Sequence, residues 1–127
     1  MASDLRVVVI DDDPDLRQLI KLTLEFTSGW RVDVAAGGEE GIALVRNVRP
    51  DAVVVDLMMP GMDGYEVSRR LTTDRATASI PIVLLTARKE IDDQRMRDAG
   101  AAGVLFKPFE PEQLGPRIAA LCDLPDD

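Results

Sequence analysis

Apolar and polar positions alternate along the chain in blocks rather than singly. Leu5 to Ile10 is apolar except for Arg6, Val53-Val54-Val55 runs into Asp56, and Ile82-Val83-Leu84-Leu85 runs into Thr86. Short continuous runs of Val, Ile and Leu suit strands covered on both faces, as in a parallel sheet. Weaker runs predict two more strands, at Arg31 to Val34 and Gly103 to Phe106. The segments between them carry helical patterns. Asp13-Pro14 reads as an N-cap followed by proline at the first helical position. Leu16, Leu19, Ile20 and Thr23 then fall at the spacing of one buried face, and Gly29 is a plausible terminator. Further helices fit Glu39 to Asn47, Gly64 to Thr72, Glu90 to Ala99 and Pro111 to Leu121.

Five strand–helix pairs in succession predict an α/β fold with right-handed crossovers and helices on both faces of one parallel sheet. One segment resists the pattern. Gly115-Pro116 lies inside the last helix, where proline removes a hydrogen bond and crowds the preceding turn. Either that helix kinks or its regular part begins near Pro116. No repeat, linker or low-complexity segment interrupts the chain, and Asp123 to Asp127 reads as a short polar tail.

Composition narrows the chemistry. The chain has 127 residues, 46% apolar and 30% charged, the size and balance of one globular domain. No apolar run approaches the ~18 residues that span a bilayer, and the N-terminal MASDLR resembles no targeting peptide. The single cysteine, Cys122, cannot pair internally, so a reducing cytoplasm is the expected setting and a small apolar role the expected use. A net charge of −8 argues against nucleic-acid binding by this chain alone. The absence of histidine removes His-based triads, His metal sites and a phosphohistidine on this chain.

In an open parallel sheet, ligands bind beyond the carboxyl ends of the strands. Those ends carry Asp11 and Asp12, Asp56, Thr86 and Lys107, while the second strand is expected at an edge. Taken singly, each has an ordinary use: a cap, a strand-end hydrogen bond, a solvated surface. Together they form a set suited to one task. Clustered carboxylates repel unless a cation separates them. All-oxygen ligation suits Mg²⁺, or Mn²⁺ in its place. A carboxylate can act as nucleophile toward a phosphoryl group, whose charge then needs a cation, an amine and a hydroxyl around it.

These motifs resemble the receiver domain of two-component response regulators over nearly the whole chain. The match rests on VVVIDDDPDLR at the first strand, VVVDLMMPGMDGYE at the third, PIVLLTAR at the fourth and GVLFKPF at the fifth. The resemblance implies a flavodoxin-like, doubly wound (βα)5 fold with strand order 2-1-3-4-5, occupying residues 1–122. It implies that Asp56 accepts a phosphoryl group from the phosphohistidine of a sensor histidine kinase or histidine phosphotransfer protein. Asp11, Asp12 and Asp56 with the backbone carbonyl of Met58 match the Mg²⁺ ligands, Asp12 directly and Asp11 through water. Thr86 and Lys107 match the groups that contact the phosphoryl oxygens, and Lys107-Pro108 matches a cis peptide. Met59 to Gly64 reads as the loop beside the site, with Gly61 and Gly64 permitting its turns.

Such a switch is not an enzyme in the ordinary sense, though it promotes its own Mg²⁺-dependent phosphorylation and dephosphorylation. Its output would be a changed surface on helix 4, strand 5 and helix 5, read by a downstream effector or a fused output domain. A phosphorylation-dependent homodimer is a further partner to consider, and no membrane partner is expected. Three positions depart from the family pattern. Val104 stands where an aromatic switch residue is common, which leaves Phe106 to pack in the core. Met58 and Arg88, two residues beyond Asp56 and Thr86, are neither carboxylate nor amide, so slow loss of the phosphoryl group is expected.

Two other readings stay open on sequence. A Mg²⁺-dependent aspartyl phosphohydrolase would need a second acid–base carboxylate near Asp56, and DLMM offers none two residues on. An unphosphorylated binding module of the same fold is the other. No output domain is expected within these 127 residues. The sequence leaves open whether they form a stand-alone regulator or part of a longer protein.

Overall fold

Asp13 starts the first helix as its sequence demands: its carboxylate accepts the N–H groups of Asp15 and Leu16 at 3.0 and 3.3 Å. In the computed structural model, which describes residues 4–87, 89 and 91–125, the strands are β1 (Arg6–Ile10), β2 (Arg31–Ala35), β3 (Ala52–Asp56), β4 (Ile82–Thr86) and β5 (Gly103–Phe106). The helices between and after them are α1 (Pro14–Ser28), α2 (Gly38–Val48), α3 (Gly64–Thr73), α4 (Asp93–Ala99) and α5 (Pro111–Cys122). All strand pairs are parallel, in the order β2-β1-β3-β4-β5. This is the expected doubly wound sheet, with β2 at one edge.

Strand alternation sends each apolar run to two cores. Val8, Ile10, Val53, Val55, Ile82 and Leu84 face α2, α3 and α4, where they meet Ile42, Val45, Val67 and Leu71. Val7, Val9, Val54, Val83 and Leu85 face α1 and α5, where they meet Ile20, Leu24, Leu114 and Ile118. The strand order reverses between β1 and β3, so their carboxyl ends open a crevice at that point.

Three local expectations change. Leu19 is half exposed, and the buried face of α1 runs through Ile20, Thr23 and Leu24 instead. Leu19, Leu22 and Phe26 form an outward apolar stripe, because the helix lies on the sheet about a line nearer Leu24 than the sequence spacing suggests. In α5 the helix runs unbroken through Pro116. The carbonyl that loses its partner belongs to Glu112, which is exposed to water, and neighbouring Gly115 lets the helix lie directly against Ser28 of α1. Finally, α4 begins at Asp93, after an Asp92 cap whose carboxylate accepts from Arg95 N–H at 3.1 Å. The expected start at Glu90 lies outside the described residues.

Candidate functional site

β1 delivers Asp11 into a buried position. The four strand residues before it are fully enclosed, and Asp11 itself is 1% exposed. Its N–H extends the ladder to Ala35 O at 3.1 Å, and Arg17 Nη1 donates to its carbonyl at 2.8 Å. One carboxylate oxygen, Oδ1, accepts Asp13 N–H at 2.9 Å. The other, Oδ2, is the one buried side-chain polar atom among the described residues that lacks a partner. A buried carboxylate oxygen without a donor is costly unless a cation supplies its charge.

Asp56 ends β3, also buried, beside Leu85 of β4. Thr86 follows one step along β4, fully buried, with its hydroxyl donating to Ala87 O at 3.0 Å. Lys107 follows β5 directly. Its N–H donates to Thr86 O at 2.9 Å, and its ammonium lies 3.1 Å from Asp56 Oδ1. The Lys107–Pro108 peptide is cis, as the resemblance implied.

The electrostatics follow from burial. Burial pushes the Asp11 carboxyl up to about 6; the charges of Asp56 and Asp12 add to this, while the Asp13 N–H and Lys107 oppose it. Burial also raises the Asp56 carboxyl, against a hydrogen bond and the charge of Lys107 and the backbone N–H of Met58. Oxygens of Asp11, Asp12 and Asp56 all lie within 4.8 Å of one another. Together with the unpartnered Oδ2, this hard, oxygen-only set fits a small divalent cation such as Mg²⁺.

The expected site residues Asp11, Asp12, Asp56, Thr86 and Lys107 therefore converge on one rim. Met58 is 57% exposed, two residues past the Asp56 strand end, with buried Leu57 between them. Arg88 lies outside the described residues. Phe106 does not pack in the core: it is half-buried on the edge strand, beside a cavity of about 220 Å³ that Phe109 and Arg117 also line. An edge strand has sheet on one side only, and inward-facing Leu105 takes the core position. Burial raises the Cys122 thiol to about 11, in keeping with its expected apolar role.

Sequence reasoning gave Gly64 the wrong reason. Its N–H donates to Leu57 O at 2.8 Å, and a Cβ there would lie 2.7 Å from the carbonyl oxygen of Asp56. The residue is small because α3 starts in contact with the Asp56 backbone, not because of a turn. Arg95 joins Asp63 and Tyr65 beside that start, a grouping that nothing in the spacing along the chain signals, since Arg95 stands on a different helix.

A model of the response regulator receiver domain matches residues 7–119. The chain is 41% identical over 117 residues to the DNA-binding dual master transcriptional regulator RpaA of Synechocystis, covering 91% of this chain and 48% of that protein. It is 44% identical over 119 residues to the response regulator MprA of Mycobacterium sp. strain KMS, covering 92% and 50%. The chain thus spans about half the length of these curated relatives. Among solved structures, chemotaxis protein CheY4 of Vibrio cholerae superposes with a TM-score of 0.85 at 31% identity, covering 94% of this chain and 99% of that one. The receiver domain of the sensor histidine kinase PA1611 from Pseudomonas aeruginosa, solved with a magnesium ion coordinated in its active site cleft, superposes with a TM-score of 0.83 at 25% identity, covering 95% and 99%.

Proposed function

Because the chain belongs to the response regulator receiver domain family, we propose that it is a signalling switch that accepts a phosphoryl group on Asp56. One observation carries this reading: three carboxylates converge within 4.8 Å while Lys107 stands 3.1 Å from Asp56. A helix cap or a surface ion pair needs no such convergence, whereas phosphoryl transfer does.

The donor is a phosphohistidine on a sensor histidine kinase or phosphotransfer protein. An Asp56 oxygen attacks phosphorus, the P–N bond of the donor breaks, and its electron pair returns to the imidazole nitrogen. Asp11, Asp12, Asp56 and the Met58 carbonyl would hold Mg²⁺, with Mn²⁺ able to substitute. That ion supplies neutralising charge to the carboxylates and the transferring group. Lys107 exchanges its bond to Asp56 for one to a phosphoryl oxygen. Thr86 turns its hydroxyl from Ala87 O toward another, shifting the surface of α4, β5 and α5 by a change of population.

The switch occupies residues 1–122, and its setting is the cytoplasm; among the described residues no helix is long and apolar enough to cross a membrane. Its effector is a partner protein or a fused output domain, consistent with a match to about half the length of its relatives. A DNA-binding role such as the Synechocystis relative's name states would then belong to that other segment. A homodimer formed on phosphorylation is a further form of output.

Incubation with acetyl phosphate and Mg²⁺, followed by intact-mass measurement, tests the reading. A phosphorylated species that disappears in Asp56→Asn supports the switch. Continuous consumption of acetyl phosphate would make the protein a phosphohydrolase, and no change at all would leave a binding module.

A further inference from the structure

α4 is weakly held by apolar contact. It has seven residues, of which only Ala99 is buried, with Met96 partly so. Polar ties to α3 do most of the rest, and they fall into two groups. At the C-terminal end the Ala99 carbonyl accepts from Ser68 Oγ at 2.7 Å and Thr72 Oγ1 at 3.1 Å. At the N-terminal end the Tyr65 hydroxyl accepts Asp92 N–H at 2.7 Å. The Arg95 guanidinium lies over the Tyr65 ring, 4.5 Å from its centroid, and pairs with Asp63 at 2.9 Å.

The two ends differ in exposure. The Ser68 bond is buried beside a buried Ala99, so it makes a fixed point. The Asp92 N–H bond is only part-buried and the Arg95–Asp63 pair is half exposed, so these ties open at lower cost. They are also the ties nearest the site. Asp92 follows Thr86 by the short connection out of β4, and Asp63 and Tyr65 flank Gly64, whose backbone touches Asp56 and Leu57.

We propose that Tyr65 and Arg95 form a latch that holds the first turn of α4 against α3 while Asp56 is unphosphorylated, and that loading Asp56 releases it. The proposal rests on the switch reading above and deepens it. It gives α4 a coupling to the site through α3 and the Asp56 backbone, in a chain whose fifth strand carries Val104 in place of an aromatic. A bond present in one state only biases the equilibrium toward that state, and by linkage it weakens every ligand that prefers the other.

The test is binding of beryllium fluoride, a phosphoryl mimic, to the whole chain in Mg²⁺. Tyr65→Phe removes one hydroxyl and keeps the buried ring. It is expected to tighten binding about two- to tenfold, the range of a single neutral hydrogen bond. Amide exchange at Asp92 to Arg95 should speed up in the unliganded variant. Arg95→Met, which keeps the apolar stem over the ring, should shift affinity in the same direction and decides the matter should Tyr65→Phe fold poorly. A tie that is merely structural would lower stability and leave affinity unchanged or weaker, and that result overturns the latch. Failure of the unmutated chain to bind the mimic would overturn the switch reading as well, with Asp56→Asn as the reference.

Discussion

Lys107 Nζ stands 3.1 Å from Asp56 Oδ1, although 51 residues separate the two in the chain. β3 and β5 are not neighbours; β4 lies between them. The pair forms because both side chains leave strand ends and lean across Thr86. Lys107 offsets the cost of burying Asp56, whose carboxyl is nonetheless raised above its usual range by burial.

Lys107→Met should therefore act on stability and on chemistry. Breaking a fully buried pair costs about 3–5 kcal/mol, but Lys107 is a third exposed, so a loss of about 1–2 kcal/mol is expected. Phosphorylation by acetyl phosphate should slow at least about tenfold, because an amine that follows the developing charge is gone. Urea denaturation and intact mass check the two halves separately.

Asp11 makes metal-free stability depend on pH in an unusual direction. Its folded carboxyl titrates near 6 against an ordinary value of 3.8, so between those values the folded state binds more protons than the unfolded one. Stability without metal should then fall as pH rises through that window and level off above it, by on the order of 3 kcal/mol. Asp11→Asn should flatten the fall, and added Mg²⁺ should offset it at pH 7. Denaturation in chelator from pH 4 to 8 measures this; a rise in stability across the window, once other carboxylates are accounted for with Asp11→Asn, would count against it.

Met58 is exposed two residues beyond Asp56, and its thioether offers nothing to orient water. The phosphorylated protein should lose its phosphoryl group slowly in Mg²⁺. Met58→Asn should speed that loss at least about tenfold, short of the 10²–10⁴ that a fully positioned acid–base group contributes. Following the phosphorylated mass over time after donor removal gives both rates.

Gly64→Ala places a methyl group 2.7 Å from the Asp56 carbonyl oxygen, so backbone has to move. A loss of about 1–3 kcal/mol is expected, with a larger proportional loss of phosphorylation because the shift falls on the site itself. Thermal melting and acetyl phosphate labelling of the same sample compare the two.

Arg49 closes α2 at φ 53, a left-handed residue directly before Pro50, where extended backbone is preferred. Arg49→Gly removes that strain and should stabilise the protein by about 0.5–1 kcal/mol after glycine's larger unfolded-state entropy is counted. Denaturant midpoints at equal slope would register it, with phosphorylation unchanged.

Much of this molecule was readable before its structure. Val7 to Ile10, Val53 to Val55 and Ile82 to Leu85 admit burial on both faces and little else, so strands and a parallel sheet followed, while the doubly wound order came from the resemblance to receiver domains. Asp13-Pro14 specified a helix start locally, since a cap needs only its own neighbours. The polar residues at the strand ends marked the candidate site because topology sends every such end to one rim. Three of the misreadings concern contacts made at a distance. Leu19 faces water because the way α1 packs on the sheet, not its periodicity, selects the buried line through Ile20, Thr23 and Leu24. Phe106 misses the core because β5 is an edge. Gly64 is small on account of Asp56 eight positions earlier.

What the sequence determined by itself was the inventory: which segments bury, which residues cap, and which groups stand at strand ends. Tertiary structure decided how those groups meet. It left Asp11 Oδ2 buried without a donor, brought Lys107 across β4 to Asp56, and set Tyr65 and Arg95 against the first turn of α4. The physical reason is range. Burial and capping are written in spacing along the chain, whereas a carboxylate's charge and a helix's freedom depend on neighbours that only packing supplies.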